Sequence, residues 1–306
     1  MLSQIKGLHH VTSLASGAQR NNAFFTRTLG LRRVKKTVNF DRPDVYHLYY
    51  GDEVGTPGTV MTYFPFPNAT RRTPGSGEVS TTAFSVPKGS LPFWEERLAG
   101  RSTSLREGRF GETRLRFDGP DRDDLTLVEA DDDRTPWTGS GIDAETAIRG
   151  FHSVELAVSD IAPTAELLRF MGYQEVGAEG AVTRFAMPNG NGADFVDLRQ
   201  SDAPEAGQGA GSVHHVAFAV ADRAAQKEVQ QALEDEGFQV TEQIDRDYFW
   251  AIYFRSPGGV LFEVATGEPG FDRDEERGAL GEALKLPDQH ADLRERLEAT
   301  LEPIRD

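Results

Sequence analysis

The sequence predicts an α+β protein in which four βαβββ modules curl into two cups of mixed sheet, followed by a helical tail. Internal repetition is the main observation behind this prediction. Similar apolar strands begin near residues 7, 80, 149 and 212, and each is followed by a helical stretch and then by further short strands. Alternating apolar residues identify the strands, and glycines or polar turns separate the elements.

The two N-terminal modules occupy residues 5–67 and 79–130. In the first, we expect a strand at 7–13, a helix near 22–29 that ends at Gly30, and strands near 32–37, 46–50 and 58–64. In the second, we expect a strand from residue 80, a helix at 91–98 and a last strand at 124–130. Residues 1–135 are therefore predicted to form an N-terminal pair of modules.

The two C-terminal modules occupy residues 149–200 and 213–266 and repeat the same plan. The predicted helices cover 161–170 and 223–236, and the fourth module ends in a strand from residue 261. Residues 136–306 are predicted to form the C-terminal pair together with a tail at 272–306. The tail has leucines at helical spacing and should pack across the outside; they are Leu280, Leu284, Leu293, Leu297 and Leu301.

Composition limits the classes of function. The chain has 306 residues, 38% of them apolar and 9% aromatic, which is typical of a folded protein. There is no cysteine, so that any metal must be held by His, Asp or Glu. We expect a cytoplasmic protein without a membrane partner, because no signal pattern and no apolar run of about 20 residues is present.

The formal net charge of −16 argues against nucleic acid as a partner, because a phosphate backbone would be repelled. Acidic runs occur at 121–124, 131–133 and 272–276. One interpretation is a halophilic host, in whose salt-rich cytoplasm dense carboxylates keep a protein hydrated. The simpler interpretation is an acidic surface without that meaning; we favour the halophilic one.

Comparison of the modules identifies three candidate metal ligands. The first strand carries His9-His10 in module one and His214-His215 in module four, where the second histidines align. Modules two and three have Thr81 and Ser153 at that position. On the last strands we align Tyr63, Glu129, Asp197 and Glu263. His10, His215 and Glu263 therefore predict a metal cup between modules one and four.

Two histidines and one carboxylate on one face are typical of non-haem Fe(II) sites that use O2. Mn(II) or another divalent ion would suit the same ligands. A single histidine in an apolar strand is more often a core residue than a ligand. A buried Glu263 without a partner is costly, however, and three such residues at repeat-equivalent positions favour the metal site.

Other polar residues lie near this predicted cup. Strand alternation turns His9 and His214 to the opposite face, whereas Thr12 lies on the face of His10. Tyr253 and Arg246 belong to the hairpin before Glu263 and suit proton transfer or orientation of an anion. His152 is interpreted as a structural residue.

Several segments together resemble the vicinal oxygen chelate superfamily of glyoxalases and extradiol dioxygenases. The resemblance is closer to the ring-cleaving dioxygenases that act on para-hydroquinones, and it covers essentially the whole chain. The segments that carry it are GLHHVT (7–12), YHLYYGDEVGTPGTVMT (46–62), PKGSL (87–91), RGFHS (149–153), HHVAFAV (214–220) and YFRSPGGVLFEVAT (253–266).

This resemblance implies Fe(II) at His10, His215 and Glu263, and a small aromatic substrate with O2. It also implies metal-supporting or substrate-contacting roles for five further residues: His9, Thr12, His214, Arg246 and Tyr253. His9 and His214, the first histidines of the doublets, are therefore expected to take part in the site despite strand alternation. Two alternatives stay open. One is a glyoxalase-like isomerase or lyase, disfavoured by Tyr63 where a second carboxylate is expected, and the other is a non-catalytic aromatic-binding protein. A homo-oligomer is an open expectation.

Overall fold

The computed structural model describes residues 1–100 and 104–305. Module one contains β1 (Leu8–Ala15), α1 (Ala18–Ala23) continued by a π-helical turn (Phe24–Thr28), β2 (Arg32–Val38), β3 (Tyr46–Gly51) and β4 (Val60–Pro65). Module two contains β5 (Glu78–Val86), α2 (Leu91–Leu98), β6 (Ser104–Arg109), β7 (Glu112–Asp118) and β8 (Asp124–Glu129).

Module three contains β9 (Gly150–Val158), α3 (Ile161–Phe170), β10 (Gln174–Glu179), β11 (Val182–Ala186) and β12 (Phe195–Gln200). Module four contains β13 (Val213–Val220), α4 (Arg223–Asp235), β14 (Ile244–Asp245), β15 (Phe249–Arg255) and β16 (Leu261–Pro269). Local sequence starts two of the helices: the Asp160 and Asp222 carboxylates accept backbone N–H bonds from Ala162 and Ala225. The predicted α+β fold of four βαβββ modules is confirmed.

The strands form two curled eight-stranded sheets. One sheet has the order β14-β15-β16-β13-β1-β4-β3-β2 and joins modules four and one. The other has the order β10-β11-β12-β9-β5-β8-β7-β6 and joins modules three and two. In each module the first and last strands are parallel, whereas the antiparallel pairs β1/β13 and β5/β9 join the modules. The division into residues 1–135 and 136–306 stays a prediction, and each sheet takes one module from each half.

A β-bulge interrupts each of the four central strands. Leu8 pairs with Phe218 while His10 pairs with Ala217, which leaves His9 as the extra residue of β1. In the same way, the register skips Ser80 in β5, His152 in β9 and His214 in β13, which are the extra residues of those strands. A bulge re-aims the side chains beside it, so the simple two-residue alternation fails at these four positions.

The tail is helical over a shorter stretch than predicted. Three 3-10 turns precede the single helix α5 (Arg294–Thr300). Leu297 packs with the main core, and Leu280 packs with a smaller cluster that includes Phe271 and Tyr49. The tail therefore lies against module one. No helix among the described residues is long and apolar enough to cross a membrane.

Candidate metal centre

Three adjacent strands bring the predicted ligands together. His10 comes from β1, His215 from β13 and Glu263 from β16. The two Nε2 atoms are 3.2 Å apart, and Glu263 Oε2 lies 3.4 Å from His10 Nε2 and 3.0 Å from His215 Nε2. Ligand atoms about 2.1 Å from one ion stand roughly 3.0–3.4 Å from each other, so this spacing fits one divalent ion. Among the described residues no other group of three such side chains has this arrangement.

The Glu263 carboxylate supports the same conclusion. Its side chain is fully buried, and neither oxygen accepts a hydrogen bond of normal geometry. Burial acts to raise the pKa of Glu263, but the facing imidazoles of His10 and His215 lower it well below its usual range. An ionised, buried carboxylate without a donor is costly unless a cation neutralises it. The donor set therefore fits a bound divalent ion.

Each ligand histidine is oriented by the histidine before it. His9 Nδ1 lies 2.9 Å from His10 Nδ1, and His214 Nδ1 lies 2.8 Å from His215 Nδ1. The expectation that His9 and His214 face away is wrong, because each is the extra residue of a β-bulge. His9 Nε2 also lies 2.9 Å from the Thr266 carbonyl. Such contacts to the second ring nitrogen set the orientation of a ligand imidazole.

Burial keeps both of these supporting histidines neutral. It lowers the pKa of His9 to about 3, with His10 adding to the effect. It lowers the pKa of His214 to about 4, with His215 adding to the effect. A neutral imidazole has one N–H to donate and one lone pair to offer, which suits His9, whose ring lies between His10 and the Thr266 carbonyl.

Tyr253 and Arg246 lie on the module-four side of the cup. Tyr253 is directly opposite Glu263 in the β15/β16 register. Arg246 Nε donates to Tyr253 Oη at 3.2 Å. Burial, and then the charge of Glu263, raises the pKa of Tyr253, which keeps its hydroxyl protonated. Thr12 is fully buried and accepts a 3.0 Å hydrogen bond from the Thr62 hydroxyl, so it lies behind the cup wall.

A cavity of about 470 Å³ opens above the three ligands. Its size is ordinary for a small-molecule site. Its walls are largely aromatic and aliphatic. The apolar walls are formed by Leu14, Phe40, Phe64, Phe66, Phe249 and Leu261, and the polar residues include Asn39, His47, Tyr49, His214, Arg246 and Tyr253.

His47 and Tyr49 line the cavity and Thr62 lies behind His47, and none of the three is predicted from the sequence. The available signal was the apolar alternation of β3, which places residues 47 and 49 on one face. Two alignments of the last strands are also corrected. The register pairs Thr12 with Thr62 and Ala217 with Glu263, so Thr62, not Tyr63, is the module-one equivalent of Glu263. Tyr63 faces away and donates to Asp123 at 2.9 Å.

In module two the equivalent residue is Thr126 rather than Glu129. Glu129 instead accepts the backbone N–H groups of Gly89 and Leu91, before α2 and at its start. Asp197 in module three does occupy the predicted position. Tyr63 is one position and Glu129 three positions away from the equivalent residue, and a shift by an odd number of positions exchanges the two faces of a strand.

In the cup formed by modules two and three, an arginine guanidinium faces the Asp197 carboxylate. Arg184 makes two hydrogen bonds to Asp197, at 2.8 and 2.9 Å, and donates to Glu112 at 2.8 Å. His152 Nδ1 lies 3.1 Å from Ser153 Oγ, which repeats the geometry of the histidine doublets without a second imidazole. Asp197 is therefore neutralised by an arginine, and the interpretation of His152 as structural agrees with its contacts.

Comparison with known proteins agrees with this geometry. Residues 150–264 match the family model of the Glyoxalase/Bleomycin resistance protein/Dioxygenase superfamily. The chain is 40% identical to MhqO of Bacillus subtilis, provisionally named a ring-cleaving dioxygenase, over 99% of this chain and 98% of that one. It is 36% identical to a chlorohydroquinone/hydroquinone 1,2-dioxygenase of Sphingobium indicum, over 98% of both chains.

A solved structure extends this similarity to the fold. The crystal structure of a Bacillus subtilis protein, provisionally named a dioxygenase, superimposes with a TM-score of 0.96 at 39% identity. The alignment covers 99% of this chain and 98% of that one. With this sequence identity over nearly the whole length, the chain belongs to the glyoxalase, bleomycin resistance protein and dioxygenase superfamily.

Proposed function

We propose that the protein is an Fe(II)-dependent dioxygenase that opens a hydroquinone- or catechol-like aromatic ring with O2. The observation that carries this proposal is the ionised, donor-free Glu263 beside His10 and His215, at the base of an aromatic-lined cavity. Two histidines and one carboxylate leave positions open for substrate and O2 on a non-haem iron. The relative named as a chlorohydroquinone/hydroquinone 1,2-dioxygenase supports the choice of substrate.

Iron at His10, His215 and Glu263 would lower the pKa of a substrate hydroxyl and allow electrons to pass from the ring to O2. His9 and His214 hold the two ligand imidazoles in orientation. The apolar walls receive the ring and exclude water from it. In the overall reaction one ring C–C bond next to a hydroxyl breaks, and both oxygen atoms enter the product.

Tyr253 and Arg246 act on the module-four side of the substrate. Arg246 donates to the Tyr253 oxygen, so the Tyr253 hydroxyl hydrogen is left to donate to a group in the cavity. Arg246 is held within the cavity wall, and its positive charge would stabilise negative charge that develops on the substrate. The Thr12 hydroxyl is hydrogen-bonded to Thr62 behind the cavity wall, so its role would be indirect.

A glyoxalase-like isomerase is the alternative. Such sites usually add a second carboxylate, whereas Thr62 stands at the position equivalent to Glu263 and is neutral. A non-catalytic aromatic-binding protein would not need a complete ligand set.

Metal analysis after anaerobic purification, followed by O2-electrode measurements, tests the proposal. We expect about one iron per chain and O2 consumption when hydroquinone or catechol is added. Tight Zn²⁺ or Ni²⁺ together with turnover of a thiohemiacetal would instead assign the protein to the isomerases. Iron-loaded protein that consumes no O2 with any hydroquinone or catechol of a substituted panel would refute the dioxygenase.

A further inference from the structure

The two sides of the metal cup are related by the module repeat. His10 corresponds to His215, so Thr12 corresponds to Ala217, two residues further along each strand. By the strand register, Thr62 corresponds to Glu263, as described above. Tyr49 lies opposite Thr62 and Tyr253 lies opposite Glu263, so Tyr49 corresponds to Tyr253. Both tyrosines line the cavity. The protein therefore presents a tyrosine from each side, but only the module-four tyrosine faces a metal-ligand carboxylate.

The module-one side has a buried chain of hydrogen bonds in place of that carboxylate. Tyr49 Oη lies 2.8 Å from His47 Nδ1, and His47 Nε2 lies 2.8 Å from Thr62 Oγ1. Thr62 Oγ1 lies 3.0 Å from Thr12 Oγ1. Each of the four side chains is less than one-tenth exposed. Both His47 and Tyr49 border the cavity, so the chain begins at the substrate space and ends behind the wall.

The chain can transmit a proton in either direction. In one arrangement Tyr49 donates to His47 Nδ1, His47 Nε2–H donates to Thr62, and Thr62 donates to Thr12. In the other arrangement every donor and acceptor is exchanged. Each of the three side chains between the cavity and Thr12 can both donate and accept a hydrogen bond, and of these only the His47 imidazole can take up an additional proton to become a cation. Purely structural packing would not require an imidazole between two hydroxyl groups.

We propose that Tyr49 and His47 take up the proton that the substrate hydroxyl loses when it binds; this inference rests on the proposed function. The substrate O–H bond breaks and its proton bonds to the Tyr49 oxygen, while the Tyr49 proton moves to His47 Nδ1. The result is a substrate phenolate and a His47 imidazolium whose Nε2–H remains bonded to Thr62. Two protons shift by one position each, so that the substrate loses one proton and His47 gains one, and no electrons are transferred. The reverse shift returns the proton to the product.

The surroundings of His47 suit this task. Burial lowers the pKa of His47 well below its usual range, and the neighbouring His10, His215 and Arg246 act in the same direction, whereas Glu263 opposes them. The resting imidazole is therefore neutral and has a free site for a proton. A weak base is sufficient, because a hydroxyl bound to a divalent ion is itself unusually acidic. The groups in direct contact with the His47 imidazole are Tyr49, Thr62 and Phe64.

Proton uptake can be measured without turnover. The probe is nitrohydroquinone, whose ionised form is coloured, bound anaerobically to Zn²⁺-loaded protein and titrated with pH. We expect the apparent pKa of the bound probe to be about one unit or more lower in the wild type than in His47→Gln. Glutamine can still bridge Tyr49 and Thr62 by hydrogen bonds, but it cannot accept a proton.

Tyr49→Phe should raise the apparent pKa of the probe in the same way, because it breaks the link to the cavity. Tyr50→Phe is the matched control on the same strand. The Tyr50 hydroxyl donates to Asn21 at 3.0 Å, on the opposite face of β3, so its loss should leave the probe unchanged. In the iron enzyme, His47→Gln should lower kcat by roughly 100-fold while KM and iron content change little.

His47→Gln protein that keeps its metal, the wild-type ionisation of the probe and the wild-type kcat would overturn the inference. So would an equal shift in Tyr50→Phe, because the effect would then be structural. A wild-type iron protein without O2 uptake would refute the proposed function and not the proton transfer, since the probe experiment uses zinc and no O2.

Discussion

At the scale of single residues, metal binding in the cup depends on the charge of Glu263. The buried Glu263 is compensated only if a cation lies between it and the two histidines. We therefore expect His215→Ala to weaken metal binding by at least ~100-fold, because one of three protein ligands is lost. Metal analysis after dialysis measures this loss.

His152→Ala is the control for that experiment. His152 is equally buried, but it lies in the other cup and contacts Glu112 and Ser153. Its replacement should leave the metal content at the wild-type level, provided that circular dichroism shows folded protein. Unchanged metal in His215→Ala would contradict the assignment of the three ligands.

Asp247, at the turn between β14 and β15, gives a prediction for the pH dependence of stability. Burial raises the pKa of Asp247 to about 6. The positive charge of Arg273 lowers this pKa, whereas the negative charges of Asp245, Asp288 and Asp274 raise it further. The folded state therefore binds this proton more tightly than the unfolded state. The ionised carboxylate costs stability above about pH 6, and this cost disappears below about pH 4.

We expect Asp247→Asn to raise the free energy of unfolding by about 1 kcal/mol at pH 8, after allowance for partial exposure, and to leave it unchanged at pH 4. Asparagine tolerates the positive φ of 66° at this position. Urea unfolding across this pH range is the measurement, and the exposed Asp235→Asn serves as control. An equal gain at pH 4 and pH 8 would show that the charge of Asp247 is not the cause.

At the scale of elements, the tail is fixed to the metal-cup sheet by one buried lysine. Lys35 in β2 is fully buried and donates to Asp274 at 2.7 Å and to Glu275 at 2.5 Å. Its ammonium group also lies 4.6 Å from the centre of the Tyr248 ring. Phe271 in the same segment packs against Tyr49 and Phe249, which line the cavity. The tail thus supports the cup from behind.

Lys35→Met should lower the free energy of unfolding by about 3–5 kcal/mol, because it leaves the buried Glu275 carboxylate without its cation. Lys88→Met is the matched control: its ion pair with Asp131 is exposed, and the loss should stay below about 1 kcal/mol. Chemical unfolding monitored by fluorescence compares the two. The double variant Lys35→Met/Glu275→Gln should regain part of the loss; if it does not, uncompensated charge is not the reason.

At the scale of the whole molecule, the net charge of −16 predicts a dependence on salt. If the protein comes from a halophile, its melting temperature should keep rising from ~0.3 M to ~2 M KCl, because hydrated carboxylates still gain from added salt after their mutual repulsion is screened. Thermal unfolding in a KCl series measures this. A rise that is complete by ~0.3 M would indicate screening alone, and no rise at all would remove the halophilic interpretation.

The repeat in the sequence made most of the architecture predictable. Helices α2 and α3 match their predicted bounds, and the doublets at His9-His10 and His214-His215 indicated which modules carry the candidate ligands. Alternation failed where the backbone is irregular. The β-bulges at His9 and His214 depend on how β1 and β13 pair, and that pairing joins residues 200 or more positions apart.

By itself, the sequence determined the four modules, the three candidate ligands and the pairing of the first module with the fourth, because the period of a strand and the chemistry of a ligand are local properties. Only the tertiary structure decided that His9 and His214 turn towards the ligands and that Thr62 replaces Tyr63 opposite Tyr49. It also decided that His47 enters the cavity wall. Strand register decides each of these positions, and a change of one residue exchanges the two faces of a sheet.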